Sequence, residues 1–103
     1  MSYAVKILIP ADADAVEAAL WYDAQLPGLG AKFFEEINAA ALRLAENPTI
    51  HSVRFADVRR APVGRFRFYG LYYLIRENEV LIIAICHARR DPGWLRERRK
   101  KIG

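Results

Sequence analysis

The sequence predicts an α+β domain: an N-terminal strand, an antiparallel helical hairpin, then a three-stranded antiparallel meander and a short basic C-terminal helix. Three observations carry that prediction. Apolar residues recur at helical spacing before Pro48. Beyond it the spacing changes to period two, which suits strands. Residues 80–86 are then continuously apolar and lead directly into a cationic tail. At 103 residues the chain has room for one core, so residues 1–103 are read as one domain.

Residues 3–9 have the length and β-branched content of a strand, and Pro10 is expected to stop it. Asp12 or Asp14 can cap a helix running to about residue 25, with Val16, Ala19 and Leu20 as its buried stripe. Pro27, Gly28 and Gly30 break the chain. A stronger helix follows, with Leu29, Phe33, Ile37, Ala40, Ala41 and Leu44 on one face of a 3.6-residue repeat. It ends at Asn47, because the residue before Pro48 resists the α conformation. So short a link implies an antiparallel helix pair.

Residues 57–63 form a short strand whose Pro62 suits a sheet edge. Residues 65–75 alternate. Phe66, Phe68, Gly70, Tyr72 and Leu74 face one way, while Arg65, Arg67, Tyr69, Leu71, Tyr73 and Ile75 face the other. Tyr72 is expected beneath the helices and Tyr73 on the face open to a partner. Residues 76–79 turn the chain, and residues 80–87 read as a central strand covered on both sides. The helical hairpin can cover one side. Only the segment after Pro92 remains for the other, which points to a partner that completes the burial. Asp91 caps that last helix, with Pro92 in its first turn.

Charge divides the chain sharply. Residues 1–50 hold three basic and seven acidic residues, a net of −4, whereas residues 51–103 hold thirteen basic and five acidic, a net of +8. An anionic partner should therefore dock on the second half. The single cysteine, Cys86, precludes an internal disulfide and suits a reducing compartment, taken here as the cytoplasm. Residues 5–9 are too short for a secretory signal, and no apolar run approaches the roughly 20 residues a bilayer-crossing helix needs.

A set of short landmarks runs through nearly the whole chain: Trp21-Tyr22, Pro27-Gly28-Leu29-Gly30 with Phe33, Glu46-Asn47-Pro48, Asp57-Val58-Arg59-Arg60, Phe68-Tyr69-Gly70-Leu71-Tyr72-Tyr73, and His87-Ala88-Arg89-Arg90-Asp91-Pro92 with Trp94. In this order the chain resembles the RelE/ParE superfamily of bacterial toxins from type II toxin–antitoxin pairs, on its ParE or plasmid-stabilisation side. The resemblance implies a sheet behind a helical hairpin and a cognate antitoxin that wraps around the toxin as a hetero-oligomer. ParE-like members are known as inhibitors of DNA gyrase, and RelE-like members cut mRNA on the ribosome. Family members often carry arginine where this chain has Gly70, a departure that weighs against RNA cleavage here.

RNA cleavage needs a base, an acid and cations around the phosphate. The candidates are His87, with Arg65 and Arg67 as phosphate contacts and Tyr69 or Tyr73 as proton donor. The competing reading makes His87 a strand-end residue hydrogen-bonded to the following loop. Cys86 cannot pair with His87, because adjacent strand residues point to opposite faces. Neither His51 nor His87 has metal-ligand spacing around it, and no metal or cofactor is expected. Trp21 is read as a hairpin-packing residue. The residues expected to meet a protein partner are Arg59, Arg60, Tyr73, Arg89, Arg90, Trp94, Arg96 and Arg99. An acidic antitoxin segment is expected over the sheet and the basic surface, either as a strand added to the sheet edge or as an amphipathic helix covering Leu71, Tyr73, Leu81 and Ile83.

Overall fold

A computed structural model describes residues 2–103. Its elements run β1 (Ala4–Ile7), α1 (Ile9–Gln25), α2 (Leu29–Glu46), a 3₁₀ turn (Pro48–Ile50), β2 (Val53–Phe55), β3 (Val58–Val63), β4 (Phe66–Arg76), β5 (Glu79–His87) and α3 (Pro92–Lys100). The strands form one sheet in the order β1-β5-β4-β3-β2. All neighbours are antiparallel except β1, which runs parallel to β5. The α+β architecture is the one expected from the sequence.

Pro10 opens α1 rather than closing a strand. The strand stops at Ile7, Leu8 is the cap position, and Pro10 lies in the first turn, where its missing N–H would have had no helical partner anyway. Neither Asp12 nor Asp14 caps the helix, and Asp14 turns instead toward the sheet. The buried stripe of α1 is also different from the expected one. Ala11, Ala15, Ala18 and Ala19 are buried, while Val16 and Leu20 are exposed. Small residues let the helix lie close, and the larger aliphatics are turned outward.

The hairpin link is held by Asp23, whose Oδ1 accepts hydrogen bonds from the N–H groups of Gly28 (3.2 Å) and Gly30 (2.8 Å). A side chain at position 30 would meet the Ala19 carbonyl at 2.6 Å, so the helices can cross here only over glycine. In α2 the stripe read from sequence does face the sheet: Phe33, Ile37, Ala40 and Leu44 are buried, with Leu29 and Ala41 partly so.

One strand escaped the sequence pattern. β2, three residues long, pairs outside β3 and takes the edge that Pro62 was expected to mark. Its pairing reaches only Val58 and Arg59, so Pro62 stays beyond its end, where no ladder bond to it is lost.

The faces of β4 are reversed from expectation. Leu71 and Tyr73 pack beneath the helical hairpin, whereas Tyr72 and Leu74 face α3. Phe66 joins the hairpin side, because the β3–β4 register shifts at Pro62/Val63. A second irregularity pairs Tyr72 with Ala84 but Tyr73 with Ile82, leaving Ile83 as an extra residue in β5. Ile82 and Ile85 therefore face the hairpin, and Ile83, Ala84 and Cys86 face α3.

The second face is covered from within the chain. Leu95 of α3 is buried on it, with Trp94, Ile102, Leu8 and Phe55 packed around. Leu81 and Ile83 are buried on this face, and Leu71 and Tyr73 beneath the hairpin, so all four are closed to a partner helix. Asp91 caps α3 by accepting from the Gly93 N–H, as the sequence suggests. Among the described residues no helix is long and apolar enough to cross a membrane.

Candidate functional site

β1 ends at Ile7, so the outer edge of β5 has no strand beside it past Ile82. Two side chains occupy that edge instead. Asp14 Oδ2 accepts from the Ile85 N–H at 3.1 Å, and Arg98 Nη1 donates to the Ile83 carbonyl at 2.8 Å. The two also pair with each other through Nη1–Oδ2 at 2.9 Å and Nη2–Oδ1 at 3.2 Å. Both side chains are only 15% exposed. One ion pair thus ties α1, β5 and α3 together at the bulge.

Above it lies a groove of about 620 Å³ between α1, the end of β5 and the start of α3. Glu17 and Trp21 line it from α1, Phe68, Tyr69 and His87 from the strands, and Arg90 and Trp94 from the last turn and helix. Tyr22 and Tyr69 join Phe33 and Phe66 in an aromatic cluster with ring centroids 4.8–5.8 Å apart. Trp21 packs edge-on to Tyr22 at 5.2 Å. It is not a buried packing residue: Trp21 is 57% and Leu20 67% exposed. Ile9, Val16 and Leu20 give α1 an apolar outer stripe away from its alanine face, while Trp21 lies about 100° round the helix from Leu20, on the groove side.

The chemistry available in the groove is limited. Burial raises the pKa of both tyrosines, with a smaller contribution from Tyr69 at Tyr22 and from Cys86 and Glu17 at Tyr69. Burial, then Asp14, pushes the Cys86 thiol up to about 11. All three groups therefore stay protonated at neutral pH and offer no nucleophile or base. His87 accepts a hydrogen bond from the Arg89 N–H at its Nδ1 (3.0 Å), leaving the proton of the neutral ring on Nε2. Its ring stacks on Phe68 at 5.8 Å and meets Tyr69 edge-on at 5.5 Å.

Of the candidate nuclease residues, His87 and Tyr69 come together as a cross-strand pair. Arg65 and Arg67 are exposed, and the Arg65 guanidinium lies 6.0 Å from the Phe66 ring. Gly70 leaves no gap. The Arg60 side chain crosses over it, so that a Cβ there would meet Arg60 Nε at 2.5 Å. Arg60 Nε donates to the Tyr72 hydroxyl (3.2 Å) and its Nη2 to the Arg67 carbonyl (3.3 Å).

The residues expected to face a partner divide into two groups. Arg89 and Arg90 are exposed, and Trp94 sits half-buried with the Arg90 and Arg98 guanidinium groups 4.0 and 4.5 Å from its ring centre. The others make contacts within the chain, although Arg96 stays exposed. Tyr73 is 0% exposed and its hydroxyl donates to the Pro48 carbonyl at 2.6 Å, which removes it from any docking surface. Arg59 donates to the His51 carbonyl at 2.6 Å. Arg96 lies over Phe55 at 5.6 Å. Arg99 grips Asp57 with two bonds of 2.8 and 2.9 Å, which lowers the Asp57 pKa and raises that of Arg99. Asp14, the α1 outer stripe and the bulge had no sequence signal beyond a helix with more aliphatic residues than one stripe can use.

Comparison with known proteins agrees with this layout. A family model described as "ParE toxin of type II toxin-antitoxin system, parDE" matches residues 5–92. A chain of a solved structure titled "Chromosomal ParDE TA system from P. aeruginosa" superposes with a TM-score of 0.73, covering 84% of this chain and 96% of that one at 17% identity, a likeness of fold. No curated protein sequence matches.

Proposed function

Because the chain belongs to the ParE toxin family of type II toxin–antitoxin systems, we propose that it slows growth by binding its target, DNA gyrase, and is silenced in a hetero-oligomer with a cognate antitoxin. The observation that carries the antitoxin reading is the exposure of large apolar residues on α1, Ile9, Val16 and Leu20 along its outer stripe and Trp21 in the aromatic groove. An amphipathic antitoxin helix laid along that surface buries the aliphatic stripe, and acidic groups on it reach Arg89 and Arg90. Large apolar side chains left exposed together on one helix mark an interaction site.

Binding is favoured over catalysis by the state of the groove. His87 has one ring nitrogen committed to the loop, Tyr69 and Cys86 hold their protons, and Arg98 is already neutralised by Asp14. Inducing the chain alone should stop growth and block gyrase supercoiling while mRNA stays intact. Leu20→Glu should leave that toxicity but weaken rescue by the antitoxin. Codon-specific cuts in ribosome-bound mRNA, lost on His87→Ala, would overturn the binding mechanism in favour of an endoribonuclease.

A further inference from the structure

We propose that a second groove, between the C-terminal half of α2, the 3₁₀ turn and β3, docks an acidic amphipathic helix of a protein partner. It shares no lining residue with the groove beside α1, and the inference does not rest on the function proposed above.

The groove encloses about 510 Å³. Ala40, Leu44 and Ala61 contribute to its lining from buried positions. Leu42 and Ile50 also line it, yet they are 72% and 66% exposed. Single exposed aliphatics are ordinary, but two of them flanking an apolar hollow form a surface that gains by being covered. Covering them with the anchors of a partner removes from water the surface that folding has left out.

Charge selects the partner. Arg43 lines the groove, and the Arg59 guanidinium sits beside it, donating to the carbonyl of the lining residue His51 at 2.6 Å. Glu46 is the acid among the lining residues. The lip is therefore cationic, and side chains of Asp or Glu beside the partner's aliphatic anchors are attracted where Lys or Arg would be repelled. The form of the partner follows from β3. Pro62 stands in the wall without an N–H, and β2 has ceased pairing at Arg59, so an added strand would find no donor at that position. A helix satisfies its own backbone and needs only to insert side chains.

The test uses the full chain and a fluorescent, helical peptide of about 18 residues carrying leucines at i, i+3, i+4 and i+7 flanked by glutamates. A second peptide has the glutamates replaced by lysines. The acidic peptide should bind, with anisotropy giving a dissociation constant that Leu42→Glu raises at least about tenfold and Arg43→Glu raises severalfold. Amide shifts should centre on Ile50, His51 and Ala61. Leu42 and Arg43 are exposed, so both variants should melt as the parent does. Failure of the acidic peptide to bind, or equal binding of the lysine peptide, would sink the proposal. So would an equal loss from Trp21→Ala, which would place the peptide in the first groove, or displacement by a single-stranded oligonucleotide with the same residue dependence.

Discussion

Removing either partner of the Asp14–Arg98 pair should be among the most damaging polar changes in this chain. Asp14→Ala strips the counter-charge from Arg98 and the acceptor from the Ile85 N–H. Arg98→Ala strips the donor from the Ile83 carbonyl and leaves Asp14 without its cation. A fully buried pair broken on one side costs about 3–5 kcal/mol. With 15% of each side chain still reached by water, about 2–3 kcal/mol is expected for each single variant. At roughly 4–5 °C per kcal/mol for a domain of this size, the melting temperature should fall by about 10–15 °C. The double variant should cost clearly less than the sum, with a coupling energy of at least about 1.5 kcal/mol. It should not return to parental stability, because the Ile83 and Ile85 backbone groups then lose both partners, at about 1–3 kcal/mol for an unmet buried group. Urea unfolding followed by Trp94 fluorescence reads all four corners of the cycle. Single-variant costs that add to within about 0.5 kcal/mol would refute the claim that the two side chains act as one unit.

Tyr73→Phe should cost about 1–3 kcal/mol in urea unfolding, since it leaves the Pro48 carbonyl unmet in a buried site, while antitoxin affinity stays unchanged. Gly70→Ala should displace Arg60 from the Tyr72 hydroxyl and the Arg67 carbonyl; a melting point lowered by several degrees, and a changed Arg60 Nε resonance, would register it. Acid titration of stability should show two separate effects. Burial, then Arg43, Arg54 and Arg60, lowers the His51 pKa, so the unfolded chain takes up its proton first and stability declines as pH falls through 6.5 toward the lower folded value. His51→Gln should remove that slope. Asp57, lowered chiefly by its hydrogen bond from Arg99, contributes stability that is present above 3.8 and lost as pH falls through its folded value. Asp57→Asn should flatten that lower limb, by no more than about 1 kcal/mol for so exposed a pair.

What the sequence disclosed follows from which forces have a local pattern. α2 was legible because its inward residues, Phe33, Ile37, Ala40 and Leu44, keep the 3.6-residue spacing, although Phe34 and Leu42 point outward. α1 was misread because its packing face is alanine and its larger aliphatics point outward, so hydrophobic spacing tracked the exposed face instead of the core. The alternation in β4 was visible, but which set faced the helices was not. Both sets are apolar, and the Ile83 bulge and the Pro62/Val63 shift reset the phase of the alternation. β2 was missed since three residues carry too little periodicity. The pairing of Arg98 with Asp14 and of Arg99 with Asp57 was not legible in the basic tail, because those acids lie 84 and 42 residues away in sequence.

The parallel pairing of β1 with β5 makes the first strand wait for the last. Residues 4–7 have no place in the sheet until residues 79–82 exist to receive them, and Asp14 has no counter-charge until Arg98 has been made. On a ribosome the helical hairpin is complete long before the surface it packs on. A chain interrupted anywhere before its last turn therefore lacks the clasp that joins α1 to α3. Prematurely terminated copies should emerge less stable by at least the cost of that lost pair, and the long-range pairing makes the sheet one of the last parts to close.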